Sequence, residues 1–403
     1  MTRVLRVIRL LAGLLAALVL LPGLSFAAKP GDLDPSFGNA GKVRIGSTGD
    51  QFVFTSVALD SRGRIVAAGN KGNRFALARV RSNGTLDQSF GSGGIAVGGL
   101  TGTLADMTID RYGRIVVAGS TRDGDFLVAR YHSDGSPDDS FGTGGAVVTN
   151  FGNLDYGSSI AIDSRGRIVA AGERAHKFAL ARYLPSGSLD PSFSSDGKVL
   201  SGFGSSNARA TATVIDSRDR VIAAGDFEGY GGFALVRYSR RGVINARSFG
   251  VGGKVTTAFG GSEYVNSAAI DSQGRIVVAG TTLQARTPAH FALARYDSSG
   301  SLDQTFGGDG RVVSAFGRAT DMAIDPHGRV VVVGFTDPPG GEFPDSTLAR
   351  YLPTGNLDPT FGDDGRVITS GGVSQPWSLA IDSQGRIVTV GTGSFTLARY
   401  FGQ

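Results

Sequence analysis

The sequence contains no cysteine, which excludes disulfide bonds, thiol chemistry and lipid attachment at a cysteine. Histidine is scarce, and His132 and His327 occupy repeated turn positions, which leaves too few for a three-histidine metal site. No G-x-S-x-G nucleophile elbow and no P-loop are present. No stretch beyond residue 28 shows helical periodicity, so the sequence predicts an all-β chain.

The chain also has little net charge. The formal charge of +5 falls to +2 when Arg3, Arg6 and Arg9 at the N-terminus are left out. A value this close to zero favours neither nucleic acid nor an anionic membrane as a partner.

The N-terminus has the pattern of a secretory signal peptide over residues 1–27. Three arginines precede an apolar run from Leu10 to Leu24, and Ser25-Phe26-Ala27 provides a small-x-small cleavage site. We expect the mature chain to begin at Ala28 and to be secreted or periplasmic. An uncleaved membrane anchor is the alternative, but the apolar run is short, so we expect no stable membrane insertion after cleavage.

A unit of 50 to 57 residues is repeated seven times. Its landmark is the aspartate of a D-x-x-G-R element, which falls at Asp60, Asp110, Asp163, Asp216, Asp271, Asp325 and Asp382. In the fourth unit Asp219 replaces the glycine. The turn should tolerate this substitution because aspartate accepts a positive φ. A period of this size indicates a propeller or a solenoid.

Each unit contains four short strand-like runs, here named A to D. The first ends at the aspartate, and runs like RIVVAG, FALARY and GKV follow it, each four to seven residues long. The inner runs are apolar at nearly every position, as expected for strands packed on both faces. Residues 28–403 are therefore predicted to form a seven-bladed β-propeller with four strands per blade.

The two ends of the chain predict how the ring closes. A partial unit from Leu33 to Ile45 precedes the first complete unit, and the chain stops after Phe395–Tyr400 without a fourth strand. We therefore expect Lys42–Ile45 to supply the outer strand of the C-terminal blade.

The near-copies of LDxSFGxxGKV, AIDSxGRIVVAG and FALARY between Leu33 and Tyr400 resemble the delta-60 repeat family of exported bacterial β-propeller proteins. The resemblance implies a propeller fold and export, with no established activity and no catalytic residues. Blade four departs from the pattern, since Ile244 to Phe249 reads INARSF where the other units read LDxSF or a near variant.

One face of the propeller is predicted to vary among the blades. The gap between the second and third strands ranges from three to twelve residues, and variation among matching units marks a face free to bind a glycan or a protein. Drift in unconstrained loops, or aromatic packing within loops, is the alternative. The candidate binding residues on this face are Tyr230, Tyr264, Phe335, Phe343, Trp377, His176 and His290.

A second candidate lies at the channel mouth. The residues four positions before each repeated aspartate are Ser56, Asp106, Ser159, Ala212, Ser267, Asp321 and Ser378. Asp106 and Asp321 within a ring of hydroxyls could hold calcium, although solvated or serine-bonded carboxylates are the plainer interpretation, and no other cofactor is expected.

Fourteen arginines occupy repeated positions, seven after the turn glycine or its replacement and seven at the end of FALARY. We expect them to pair with the aspartate of LDxSF or of a turn. A ring that binds polyanions is the alternative.

These observations favour an exported, non-enzymatic and monomeric propeller that binds or scaffolds a glycan or protein through its variable face. The alternatives are a lyase or hydrolase that acts at the channel mouth, which rests on analogy with other propellers, and a purely structural surface component.

Overall fold

The computed structural model describes residues 28–403 apart from 48, 153, 205, 228–231, 286, 337–343, 371–372 and 394–395. The signal peptide predicted at 1–27 lies outside the described residues. In the described ranges there is no helix long and apolar enough to cross a membrane.

The described residues form 28 strands in seven antiparallel sheets of four, which confirms the seven-bladed propeller. In chain order the strands are β1 (Lys42–Val43), β2 (Phe52–Leu59), β3 (Ile65–Lys71), β4 (Arg74–Val80), β5 (Ile95–Thr101), β6 (Thr103–Ile109), β7 (Ile115–Ser120), β8 (Phe126–Tyr131), β9 (Ala146–Thr149), β10 (Asp155–Ile162), β11 (Ile168–Arg174), β12 (Lys177–Tyr183), β13 (Lys198–Ser201), β14 (Ala208–Ile215), β15 (Val221–Phe227), β16 (Phe233–Tyr238), β17 (Lys254–Thr257), β18 (Ser262–Ile270), β19 (Ile276–Leu283), β20 (His290–Tyr296), β21 (Arg311–Ser314), β22 (Arg318–Ile324), β23 (Val330–Phe335), β24 (Ser346–Tyr351), β25 (Arg366–Thr369), β26 (Val373–Ile381), β27 (Ile387–Gly393) and β28 (Leu397–Tyr400).

Blades 1 to 6 take four consecutive strands each, from β2–β5 to β22–β25, and blade 7 consists of β26, β27, β28 and β1. The inner A strands are longer than the sequence indicated, at seven to nine residues. They extend toward the variable face, where the B strands lengthen with them. In blade 1 the B and C strands occupy most of the predicted gap and leave only residues 72 and 73 between them.

The D-x-x-G-R element is the turn between the A and B strands. In blade 3, Asp163 Oδ1 accepts the N–H groups of Arg165 and Arg167 at 2.9 Å, and Oδ2 accepts Arg167 Nε at 2.6 Å. In blade 4, Asp219 takes the glycine position with a φ of 56°, so the turn survives as predicted. Its carboxylate also accepts the N–H and hydroxyl of Ser164 from blade 3.

The ring closes at the predicted place. Lys42 pairs with Ala398 and Val43 with Leu397, so β1 is the outer strand of blade 7. Phe37, Val43 and Ile45 are buried in a cluster shared by blades 7 and 1. The N-terminal segment therefore removes the free edge of β28 and completes one of the seven cores.

The cores lie between adjacent blades. Seven hydrophobic clusters each combine residues of two neighbouring sheets, and the C strands are buried along nearly their whole length. The glycine of each B strand is required by a close approach of the A strand. A Cβ on Gly172 would lie 1.8 Å from the carbonyl oxygen of Tyr156, so any side chain there would force the strands apart.

A buried arginine at the end of each C strand crosses to the next blade. In blade 3, Arg182 is 1% exposed, and its Nε donates to Asp190 at 2.9 Å. Its Nη2 donates to Ser192 Oγ at 3.1 Å, its Nη1 donates to the Arg240 carbonyl of blade 4 at 2.6 Å, and Phe193 stacks on it. The LDxSF element thus supplies an ion-pair partner, a hydroxyl acceptor and an aromatic face to one guanidinium.

The same arrangement recurs round the ring, and the carbonyl acceptors in the following blades belong to Ser133, Pro185, Arg240, Ser298, Pro353, Gly402 and Ser82. The last of these bonds joins Arg399 of blade 7 to blade 1. Pairing of the arginines with the LDxSF aspartates is therefore confirmed in every blade that has the aspartate.

Deletion of residues 28–46 should destabilise the whole domain. The deletion removes β1 and the buried Phe37, Val43 and Ile45, so we expect the Tm to fall on the order of 10 °C. Thermal unfolding followed by circular dichroism measures it. Asn39→Ala, at an exposed position of the same segment, is the control and should leave the Tm nearly unchanged. An unchanged Tm in the deletion variant would contradict the conclusion that β1 closes the ring.

Two adjacent aspartates provide a matched test of the arginine network. Asp138 is 2% exposed and accepts Arg130 Nε at 2.6 Å, whereas Asp139 is exposed. Asp138→Asn should lower the free energy of unfolding by about 3–5 kcal/mol, because it leaves a buried guanidinium without its carboxylate. Asp139→Asn should change it by less than about 0.5 kcal/mol. If the two substitutions have equally small effects in urea titrations, the Arg130–Asp138 pair contributes nothing to the free energy of unfolding.

Candidate functional site

The central channel contains a cavity of about 310 Å³ that is lined by all seven residues of the predicted ring, here called the inner ring. Each inner-ring residue follows a β-bulge in its A strand, as at the register shift between Phe54 and Ser56. The bulge brings the side chain toward the neighbouring blade. The repeat spacing therefore placed these residues together correctly.

Asp106 joins three blades. Its Oδ1 accepts Ser56 Oγ of blade 1 at 3.1 Å and the N–H of Met107 at 2.7 Å. Its Oδ2 accepts the N–H of Ile160 at 3.0 Å and Ser159 Oγ at 3.3 Å, both from blade 3. The partly buried Asp106 lines the channel cavity. Burial, assisted by the charge of Asp321, raises its pKa to about 6 although these hydrogen bonds oppose the shift.

Asp321 has the same role at the boundary between blades 6 and 7. Its Oδ2 accepts Ser378 Oγ and the N–H of Leu379, both at 2.9 Å, and its Oδ1 accepts the N–H of Met322 at 2.7 Å. Burial raises the pKa of this carboxyl as well. Serines fill the same position elsewhere: Ser159 Oγ accepts Thr213 N–H, and Ser378 Oγ accepts Val57 N–H across the closure. The inner ring therefore links the A strands of neighbouring blades.

These contacts match the serine-bonded interpretation of the two carboxylates. Within the described ranges, no three side chains among His, Cys, Asp and Glu are grouped as metal ligands would be. Calcium at Asp106 and Asp321 remains a prediction.

A second ring of side chains surrounds the channel on the variable face. Each blade contributes the residue that lies seven positions before its repeated aspartate. This residue pairs in register with the one after the B-strand glycine, as Tyr264 does with Thr281. We call this second ring the mouth ring, and its members are Val53, Thr103, Tyr156, Arg209, Tyr264, Arg318 and Gln375. Unlike the inner ring, it contains apolar, aromatic, basic and amide side chains. Tyr156 and Tyr264 are 50% and 38% exposed.

Between blades 5, 6 and 7 the mouth ring contributes to a cavity of about 260 Å³, here called the aromatic cleft. Its lining residues are Arg209, Tyr264, Asn266, Thr281, Leu283, Arg318, Ala319, Thr320, Phe335 and Trp377. The rings of Phe335 and Trp377 meet edge to face with centroids 6.3 Å apart, and Trp377 is 37% exposed. The cleft shares Asn266, Thr320 and Trp377 with the channel cavity, so the two spaces adjoin.

Charge at the cleft comes from two arginines. The Arg209 guanidinium lies 5.9 Å from the centroid of the Tyr264 ring and pairs with Asp226 at 3.0 Å. Burial raises the pKa of Asp226 despite the neighbouring Arg209. Arg318 extends from the first position of β22, opposite Phe335. The cleft therefore combines aromatic faces with guanidinium groups at its edge.

The structure brings together three of the seven candidate binding residues, Tyr264, Phe335 and Trp377. His176 lies in the B–C turn of blade 3, 3.3 Å from Glu173, and His290 begins β20; neither lines the cleft. Tyr230 and Phe343 lie outside the described residues. The rings of Phe227 and Phe203 stack with their centroids 5.8 Å apart, which agrees with the alternative that aromatic residues pack within the loops.

Sequence reasoning missed Arg209, Arg318 and Asn266. For the two arginines the signal was present in the repeats, because the position seven residues before each aspartate changes residue class from blade to blade. Asn266 lies five residues before its aspartate and was not marked by this position. Variation among the blades was predicted in the loops, whereas this position lies within the A strands.

The comparison with protein families agrees with the repeats. A family model described as "Domain of unknown function (DUF5122) beta-propeller" matches residues 63–90, 113–141, 166–193, 272–306 and 326–361. The matched segments lie in blades 1, 2, 3, 5 and 6. These matches agree with the propeller repeats seen in the structure. No curated protein matches the sequence.

Solved structures are similar in fold at low sequence identity. Virginiamycin B lyase from Staphylococcus aureus is 10% identical with a TM-score of 0.54, over 88% of this chain and 97% of the lyase. A catalytically inactive variant of that lyase with quinupristin is 10% identical with a TM-score of 0.49, over 89% of this chain and 97% of the variant. An extracellular domain from B. thetaiotaomicron is 11% identical with a TM-score of 0.47, over 89% of this chain and 42% of that one. The likeness to the lyase shows a shared propeller architecture.

Proposed function

We propose that this protein is an exported, non-enzymatic propeller that binds an acidic glycan outside the cytoplasm, through the aromatic cleft and the adjoining arc of the mouth ring. The observation that carries the proposal is the alternation of Tyr156, Arg209, Tyr264 and Arg318 on consecutive blades, next to the half-exposed Trp377. Aromatic faces stack on sugar rings, and guanidinium groups bind carboxylates or sulfates in a fixed geometry.

Burial and charge at the cleft fit a polar, ring-shaped ligand. Tyr264 and Trp377 keep more than a third of their surface exposed although each packs against protein on one side. An aromatic side chain held in this way loses little conformational freedom on binding. The lining also includes the polar side chains of Asn266 and Thr320, whereas the buried Thr281 hydroxyl is already bonded to the backbone of Ala319.

The proposed cellular location rests on the N-terminal signal pattern and on the likeness of the repeats to the delta-60 family of exported bacterial proteins. The absence of cysteine suits either the periplasm or the exterior, since the blades are held by sheet hydrogen bonds and buried ion pairs. We expect a monomer, because the ring closes on itself through β1 and β28.

Loss of the cleft tryptophan should weaken glycan binding. For Trp377→Ala we expect affinity for a polyuronate to fall about tenfold or more, because the substitution removes the exposed stacking face. Tyr112→Ala is the matched control, since Tyr112 is 65% exposed in a turn on the opposite face. Calorimetric titration with a polyuronate and with a neutral glucan provides the measurement.

Binding of the polyuronate should also weaken as salt is raised, because exposed charges are screened. The glycan proposal fails if no acidic glycan binds, if the neutral glucan binds equally well, or if Tyr112→Ala reduces affinity as much as Trp377→Ala. Capture of a protein instead of a glycan at the same cleft would leave the cleft as a binding site but reject the ligand class.

A second candidate is an enzyme that acts at the channel mouth. The observation in its favour is the pKa of about 6 at Asp106, within the cavity that adjoins the cleft. Against it, both oxygens of Asp106 already accept hydrogen bonds that join blades, which makes a structural role sufficient. Turnover of a lactone, ester or glycan that is abolished by Asp106→Ser would reverse this ranking.

The inner-ring carboxylate should give stability a pH dependence with a definite sign. The folded-state pKa of Asp106 lies above its unfolded value, so its contribution favours folding at low pH and is lost as pH rises from about 4 to about 6. Asp106→Ser, which copies the residue at Ser56, Ser159, Ser267 and Ser378, should remove this decline. Urea unfolding at pH 4.5 and pH 7 measures the difference.

Asp139→Ser is the control for this experiment and should retain the wild-type profile. The network aspartates respond in the opposite direction and below this window, because hydrogen bonds and ion pairs hold the pKa of residues such as Asp138 at about 2 against the effect of burial. Identical pH profiles for wild type and Asp106→Ser would show that the carboxyl titrates normally.

A further inference from the structure

At four blade boundaries, a polar side chain on the B strand holds the A strand of the next blade. The side chain belongs to the residue after the B-strand glycine, and it accepts the N–H of the A-strand residue six positions before the repeated aspartate. We call this contact the mouth bond. Thr281 Oγ1 of blade 5, for example, accepts the N–H of Ala319 of blade 6 at 3.1 Å. The other bonded pairs are Asn70 with Leu104 at 2.9 Å, Ser120 with Gly157 at 3.0 Å, and Asp226 with Val265.

The boundary between blades 6 and 7 has neither partner of the mouth bond. Phe335 takes the position of the acceptor, and Pro376 takes the position of the N–H. A phenylalanine side chain has no oxygen or nitrogen that accepts a proton, and a proline nitrogen has no proton to donate. The two replacements match, because either one alone would leave a polar group without its partner.

Blade 7 also changes its A strand at this place. The strand β26 has two register shifts, whereas each of the six other A strands has one. Trp377 follows the proline, and its ring lies edge to face against Phe335. At the equivalent position of blade 6, Thr320 donates its hydroxyl to the Pro376 carbonyl at 2.7 Å. An aromatic contact therefore takes the place of a polar one in blade 7.

The two blades remain joined on the side away from the variable face. Two residues further along the A strands, Asp321 accepts Ser378 Oγ at 2.9 Å. On the turn face, Arg350 donates to the Gly402 carbonyl. The loss of the mouth bond therefore affects the boundary only at the variable face, where the aromatic cleft lies.

The wall of the cleft at this boundary is apolar, while its edge is charged. Leu283, Phe335 and the half-exposed Trp377 line the cavity of about 260 Å³, and the Arg209 guanidinium lies at its edge beside Tyr264. A sugar ring can cover the face of Trp377, but its hydroxyls would find no hydrogen-bond partner at Leu283 and Phe335. Burying them there would cost binding free energy, so this wall suits an apolar substituent of the sugar.

We propose that the boundary between blades 6 and 7 binds an O-acetyl group of the acidic glycan, an inference that rests on the proposed glycan function. The substituent is attached at a hydroxyl rather than at the acid, because a methyl ester would remove the negative charge that a guanidinium binds. Packing of the acetyl methyl group against Leu283 and Phe335 removes apolar surface from water. Phe335 thus selects the acetylated form by contact, and Pro376 is a positioning residue that allows phenylalanine at the adjacent position.

The test compares three forms of one polyuronate by calorimetric titration. They are an O-acetylated polymer, the same polymer after mild alkali has removed the acetyl groups, and the deacetylated polymer after methyl esterification of its acids. The wild-type protein should bind the acetylated form about fourfold more tightly than the deacetylated form, as expected for one buried methyl group. The esterified form should bind most weakly because it has lost its charge.

Two variants locate this preference in the cleft. Phe335→Thr combined with Pro376→Ala copies the residues that form the mouth bond between blades 5 and 6, so the Tm should not fall while the ratio of the two affinities falls to about one. Leu283→Ser, on the blade 5 side of the cleft, should reduce the same ratio and keeps the test decisive if the double variant does not fold. Val148→Ser, at an exposed position of an outer strand, is the control and should retain the wild-type ratio.

The outcomes separate this inference from the glycan proposal. Equal binding of the acetylated and deacetylated polymers by the wild type would overturn the acetyl inference and leave the glycan proposal intact. An unchanged ratio in the folded cleft variants, or tightest binding of the esterified form, would overturn it in the same way. If none of the three polymers binds, both proposals fail.

Discussion

A buried guanidinium at every blade boundary is the interaction on which the ring depends. Six of the seven are held within their own blade by a carboxylate, a hydroxyl and an aromatic face, as Arg182 is, whereas Arg237 of blade 4 has Asn245 in place of the aspartate. All seven donate to a carbonyl of the next blade. A charge removed from water in this way is costly unless all its donors are met. Formation of one blade therefore depends on its neighbour, and the bond from Arg399 to Ser82 extends this dependence across the closure.

The inner ring performs the same task near the axis with weaker groups. A hydroxyl or carboxylate that follows the A-strand bulge accepts an N–H of the adjacent A strand, as in the contact of Ser378 with Val57. Most of these acceptors are neutral serines, which carry no desolvation cost for a charge. Asp106 reaches both neighbouring blades and Asp321 reaches blade 7, in each case at the expense of a raised pKa. The inner ring and the arginine network thus join neighbouring blades at two radii.

Much of the fold could be predicted because it follows from features that each repeat shows by itself. The turn aspartate, the apolar B and C strands and the unpaired N-terminal segment sufficed to predict blade number, strand number and closure. The arginine pairing was predictable in part, because LDxSF and FALARY recur together. The bond from the arginine to the next blade was not, since it appears only when two blades are packed.

The candidate site was harder to predict because it belongs to no single repeat. The aromatic cleft combines Tyr264 of blade 5, Phe335 of blade 6 and Trp377 of blade 7, and an alignment of repeats does not reveal that these side chains meet. Residues shared by all blades maintain the ring, so a position can specialise only where the blades differ. The mouth ring has that property at a radius where neighbouring blades present side chains to a common space. Under the glycan proposal, its residue classes, rather than loop length, determine which ligand the propeller binds.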